Sequence, residues 1–129
     1  MRSVLTILLL ASAPALAGSP AELLSSYEAA ARAAAPTFSS SAERGAALYA
    51  KRVGDASCAS CHTPDPRAAG KHARTGKRIE PLAPAANPQR FMDAAKVEKW
   101  FRRNCSDVFA RECSAAEKAD LVRHLIDLK

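Results

Sequence analysis

Apolar side chains recur at helical intervals in several parts of the chain, each run preceded by a cap. Leu23, Leu24, Tyr27, Ala30 and Ala31 share one face, and Ser19-Pro20-Ala21-Glu22 ahead of them is a capping box with proline at the first helical position. A helix is predicted from Pro20 to about Ala35, stopping at Pro36. Ser40-Ser41-Ala42-Glu43 reads as a second box, opening a helix to about Val53. Within it Gly45 and Tyr49, four apart, would let another helix approach closely. Asp93 can cap a further helix to about Arg103. There Val97, Trp100, Phe101 and Asn104 fall on one face, with Lys96, Lys99, Arg102 and Arg103 opposite. Ser114-Ala115-Ala116-Glu117 is a third box, and Leu121, Val122, Leu125, Ile126 and Leu128 form the stripe of a last helix.

Residues 63–92 break this pattern. Pro64, Pro66, Pro81, Pro84 and Pro88, with Gly70 and Gly76, leave no helix and little alternation for strands. A stretch this long without structure in a compact domain is usually functional or wrapped around something. The N-terminus reads as a secretory leader: Met1 and Arg2, an apolar run from Val4 to Leu10, then Ala15-Leu16-Ala17. Cleavage after Ala17 would leave residues 18–129 as one domain. The apolar run is too short to span a bilayer, so no membrane anchor is expected. Export implies the periplasm, where cysteines can be oxidised. A formal charge of +6 is mildly basic and suggests a partner with an acidic face. Nucleic acid fits poorly, because the compartment is wrong and no dense aromatic–basic motif is present.

Chemistry concentrates at residues 58–62. Cys58-Ala59-Ser60-Cys61-His62 fills the C-x-x-C-H signature of c-type haem attachment. Cys58 and Cys61 would add as thioethers across the two vinyl groups, and His62 would give the proximal nitrogen to iron. On one helical turn, thiols three residues apart face the same way and can straddle a porphyrin edge. The motif alone also admits a thioredoxin-type dithiol, or half a zinc site completed by Cys105 and Cys113. The leader argues against both, since export carries the chain to where such haem is attached. A small domain has a limited core, and a haem would serve as a large apolar core element.

The ligand opposite His62 decides between an electron carrier and a site open to small molecules. Met92 is one candidate, in the loop before the last helices; as N′ to Asp93 it could instead staple against Val97. Asn104 ends a buried apolar stripe, where its amide must find a partner, yet it could equally be the C-cap of its helix. His72 lies in the basic loop Gly70–Arg78, facing solvent or reaching a haem propionate. His124, beside the last stripe, reads as structural. Cys105 and Cys113 would pair in an oxidising compartment, contributing about 2–3 kcal/mol and fixing the backbone next to Asn104. Trp100, Phe101 and Val97 are candidates to line a haem pocket. Lys71, Arg74, Lys77 and Arg78 make a candidate docking patch. No acid–base pair with convincing spacing is visible, so no catalytic residue is assigned.

Helix, C-x-x-C-H, long loop, helix and C-terminal helix is an order that resembles class I cytochromes c. In such folds the N- and C-terminal helices cross closely, a role for Gly45 and Tyr49 against Leu121 and Leu125. The fold expected is thus all-α, class I cytochrome c-like around one covalently bound haem, with an extra N-terminal helix. Lys96-Val97-Glu98-Lys99-Trp100-Phe101-Arg102-Arg103-Asn104-Cys105, Arg111-Glu112-Cys113, Gly70-Lys71-His72 and Thr75-Gly76-Lys77-Arg78-Ile79 resemble the sphaeroides haem protein family. The resemblance implies one haem c whose oxidised iron is held by His62 and Asn104, and a disulfide between Cys105 and Cys113. It further implies that Asn104 leaves on reduction, that oxygen or nitric oxide can then bind, and that a dihaem cytochrome c donates the electrons. An ordinary carrier ligated by His62 and Met92 is the alternative.

Overall fold

The computed structural model describes residues 18–129; the expected leader at 1–17 lies outside the described residues. In chain order come α1 (Pro20–Ala34), α2 (Ala42–Ala50), α3 (Cys58–His62), β1 (Gly70–Lys71), β2 (Arg78–Ile79), α4 (Ala94–Phe109) and α5 (Ala115–Asp127). The fold is helical as expected, one small hairpin being the exception among the described residues, and α1 is the additional N-terminal helix.

Local caps explain where most helices start. Ser19 Oγ accepts from the Glu22 N–H while the Glu22 carboxylate accepts from the Ser19 N–H, and Ser114 with Glu117 repeats the arrangement. The second expected box is not formed. Ser41, one residue later than the sequence suggested, caps α2 by accepting from the Arg44 N–H. Tertiary partners move this boundary: the Ser40 hydroxyl donates to Glu28 of α1, and the Ser41 N–H donates to the buried Asp120 carboxylate. Asp120 also accepts two bonds from Arg44, each 2.8 Å. The helix ends at Ala50, short of Val53, because Val53 and Ala56 pair across a turn in which Gly54 has φ +58. By contrast α4 runs beyond Arg103 to Phe109, and its cap is Ala110 in the left-handed region.

The core forms where α5 packs on both α1 and α2. Leu23, Leu24, Tyr27, Phe91, Ala119, Val122 and Leu125 are its buried centre. A Cβ on Gly45 would lie 2.0 Å from the Asp120 carbonyl oxygen and 2.8 Å from His124 Cβ. Glycine is therefore what permits the α2–α5 crossing. At this crossing Gly45 meets Asp120 and His124 of α5, next to the buried Leu121 and Leu125. Tyr49 lies against His124, ring centroids 5.8 Å apart.

Strands were not expected in residues 63–92, yet β1 and β2 pair antiparallel, Gly70 with Ile79 and Lys71 with Arg78. Two residues per strand are too few to show alternation. The loop then folds back on itself: Leu82 and Ala83 N–H groups both donate to the Pro66 carbonyl, and Ala83 is fully buried.

Candidate haem site

Cys58, Cys61 and His62 occupy the single turn of α3. Buried Ser57 caps it, exchanging hydrogen bonds with Ser60 in a reciprocal pair. The far end is fastened by Tyr49 of α2, whose Oη donates to the His62 carbonyl at 3.0 Å and the Thr63 carbonyl at 2.6 Å. A Cβ on Gly70 would sit 2.0 Å from the Cys61 carbonyl oxygen and 2.9 Å from His62 Cα. So β1 passes against the backbone of α3 at a point where only glycine fits.

His62 is a neutral imidazole. Burial, assisted by nearby Arg90, pushes it down to about 4, and the free base is the form that binds a metal. Its Nδ1 is buried and has no hydrogen-bond partner among the described residues. Such an orphaned atom marks a site whose partner is missing from the protein alone. Cys58 and Cys61 are free thiols, and burial, with Cys61 close by, pushes Cys58 up to about 11. That argues against the activated thiolate of a dithiol oxidoreductase.

Beside α3 a cavity of about 430 Å³ opens, with Ser57, Ser60 and Cys61 on one wall and Asp107 and Val108 of α4 on another. His72, Ala73 and Arg74 of the hairpin, with Val53, Asp55 and Ala56 of the turn after α2, complete it. Its size lies within the usual range for small cofactor sites, about 300–1,000 Å³. Asn104 lies in the interior of α4, half-buried, one turn before Asp107 and Val108. At about 100° per residue it stands about 60° around the helix from Phe101, on the flank of Trp100. Because α4 continues to Phe109, Asn104 is not a C-cap. Cys105, buried, is bonded to Cys113, with Cα atoms 5.7 Å apart. The zinc reading falls with that bond, and no group of three or more His, Cys, Asp or Glu is placed to hold a metal ion among the described residues.

The remaining candidates divide. Val97 and Phe101 pack against the core cluster, whereas Trp100 is 42% exposed beneath the Arg103 guanidinium, 5.2 Å from its ring. Met92 does not line the cavity, and neither do Cys58, His62 or Asn104. The Met92 carbonyl faces Gly18, and Phe91 (φ 69) is the buried core residue just before α4. His72 is turned into its own hairpin, where Nδ1 accepts from the Thr75 N–H at 3.1 Å. His124 is half-buried against Tyr49. Lys71, Arg74, Lys77 and Arg78 are all exposed on the hairpin, with Arg78 paired to Glu80 at 2.9 Å. Three residues of the site had not been anticipated: Tyr49 as the fastener of α3, Gly70 as its close neighbour, and Arg90. The last, half-buried, donates from Nε to the Pro81 carbonyl and from Nη2 to the Glu80 carbonyl. Only the proline spacing around it hinted at a fixed loop.

Two free thiols on one turn, a neutral buried imidazole with an orphaned nitrogen and an adjoining cavity fit a covalently attached porphyrin. With the all-α fold, they define a class I-like c-type cytochrome carrying one covalent haem. Residues 35–125 match the family model described as Domain of unknown function (DUF1924). Over 119 residues the chain is 50% identical to Cytochrome c-type protein SHP of Cereibacter sphaeroides, spanning 87% of this chain and 88% of that protein. Among solved structures it is similar to oxidised SHP, described as an oxygen-binding cytochrome c, with TM-score 0.74 and 48% identity over 84% of this chain and 96% of the other. It is also similar to the solution structure of cytochrome c'' of Methylophilus methylotrophus, presented as insight into haem-ligand detachment. There the TM-score is 0.76 and the identity 36%, over 84% of this chain and 93% of the other. The chain belongs to the sphaeroides haem protein family.

Proposed function

We propose that this chain, exported and cleaved after Ala17 to leave residues 18–129 as one domain, is a periplasmic cytochrome whose asparagine ligand leaves on reduction. The vacated position then takes oxygen, nitric oxide or a similar small molecule. Cys58 and Cys61 carry the thioethers, His62 supplies the proximal nitrogen, and Asn104 supplies the opposite ligand to oxidised iron. When bound, the haem supplies a redox-active iron with one exchangeable position. His62 is the fixed side, held by the Tyr49 bond to its carbonyl and by the close passage of Gly70. Asn104 is the releasable side: an amide oxygen is a neutral, hard donor that suits ferric iron and holds ferrous iron poorly. The crosslink at Cys105 limits how far a released Asn104 can travel.

The observation that carries this reading is the position of Asn104 within α4, one turn before the cavity-wall residues Asp107 and Val108, with its backbone tied at the next residue. The oxygen binding named for SHP and the ligand detachment named for cytochrome c'' support it. Electrons come from a dihaem cytochrome c that docks on the exposed Lys71, Arg74 and Lys77 of the hairpin, with Arg78 at its edge. Mixing the reduced holoprotein with carbon monoxide or nitric oxide is the test. A large change in the absorbance spectrum is expected. A spectrum that stays six-coordinate and low-spin transfers the role to a permanent ligand such as Met92, and the protein is then an electron carrier.

A further inference from the structure

Two fastenings flank Asn104 on α4. One residue beyond it, Cys105 is covalently tied to Cys113 at the entrance to α5. Six residues before it, the Glu98 carboxylate accepts from Tyr27 Oη of α1 at 2.9 Å and from Lys118 Nζ of α5 at 2.5 Å. The Tyr27 and Phe101 rings meet edge to face, centroids 5.7 Å apart. Lys118 Nζ lies 5.7 Å from the Tyr27 ring and 6.0 Å from that of Phe101. Burial opposes ionisation of Glu98, but the bonds from Lys118 and Tyr27 outweigh it and hold the carboxyl below its ordinary range. Burial and Glu98 together push the Tyr27 phenol up, so it stays a donor.

We infer that Tyr27, Glu98 and Lys118 are positioning residues that set the pose of the Asn104 amide, an inference resting on Asn104 as the ligand. A helix anchored covalently at Cys105 can still roll about its own axis. Glu98 and Asn104 lie on opposite flanks of Phe101, each about 60° away, so a roll that frees Glu98 from Tyr27 swings Asn104 through the same angle. For a group about 6 Å from the axis, a roll of about 10° is a displacement of about 1 Å. Ligating groups must be held to within about 0.5 Å, so the amide is sensitive to this cluster. The additional helix α1 thereby has a task at the haem: it contributes Tyr27, the partner that opposes the roll.

The experiment measures how fast imidazole enters the oxidised holoprotein, by stopped-flow absorbance, with thermal stability recorded alongside. Tyr27→Phe keeps the ring contact and removes the hydroxyl, and Glu98→Gln removes the charge. Each is expected to speed entry about tenfold or more and to raise the high-spin fraction. Lys118→Met joins them, whereas Lys118→Arg, which keeps the cation, stays near wild type. Combined with Asn104→Ala, the same substitutions leave the rate where Asn104→Ala alone puts it. If Asn104→Ala accelerates entry and the Tyr27 and Glu98 variants do not, the inference is overturned while the ligand assignment stands. Equal acceleration with and without Asn104 also overturns it, because the cluster then only firms the fold. An Asn104→Ala protein with wild-type rates overturns the ligand assignment and this inference together.

Discussion

Gly70→Ala tests whether the haem turn is held from outside its own motif. The new Cβ would lie 2.0 Å from the Cys61 carbonyl oxygen and 2.9 Å from His62 Cα. Ordinary contact requires β1 and α3 to separate by at least about 1 Å. Neither is free to move alone: β1 is paired to β2 through Ile79, and the end of α3 is bonded to Tyr49. Overpacking of this kind costs about 1–3 kcal/mol. For a domain of about 100 residues that lowers Tm by roughly 4 °C or more per kcal/mol. Because the clash falls on the backbone of His62, the proximal bond should change as well. The control is Gly54→Ala, which meets nothing within 4 Å and carries only the strain of φ +58. Scanning calorimetry and resonance Raman of the reduced holoprotein read both effects. If Gly70→Ala matches Gly54→Ala in Tm and leaves the proximal iron–histidine stretch unshifted, the close packing of β1 on α3 does not position His62.

Replacing both Cys105 and Cys113 by serine should lower stability by about 2–3 kcal/mol in chemical denaturation and widen the ligand-entry rates of the oxidised protein; an unchanged denaturation midpoint contradicts this. Asp120→Ala removes a buried acceptor of Ser41 and Arg44 and should cost about 1–3 kcal/mol, read the same way, while spectra of the haem stay as in wild type. Glu117 is depressed to about 2, mainly by its bonds from Arg111. A lowered carboxylate pKa stabilises the fold fully above about pH 4.5 and loses that contribution as pH falls toward 2, so the stability gap between wild type and Glu117→Gln should narrow across that window. Electron transfer from an acidic-faced donor should slow as salt rises, and Lys71, Arg74 and Lys77 replaced by glutamine should flatten that dependence.

Features specified within a few residues were readable in the chain. The capping serines of α1 and α5 act on groups three residues away, and C-x-x-C-H is contiguous, so both were visible without knowing what packs on them. What depended on distant partners was not. Ser41 takes over from Ser40 because Glu28 and Asp120 compete for that segment from two other helices. The hairpin at residues 70–79 is too short for a strand pattern, and Gly70 is needed there by the approach to Cys61, which no local signal encodes. The end of α4 lies beyond the Arg103 that the sequence suggests and carries no glycine stop to mark it; Ala110 adopts the left-handed conformation instead. That extension bears most on function, since it takes Asn104 out of the capping position and into a helix interior.

The central claim is a ligand that changes with oxidation state, and crystal structures of the holoprotein in both states address it directly. Oxidised protein should show Asn104 Oδ1 bonded to iron opposite His62, and reduced protein should show that bond broken with His62 still in place. Sulfur of Met92 opposite His62, or an amide that stays bonded after reduction, would contradict the account.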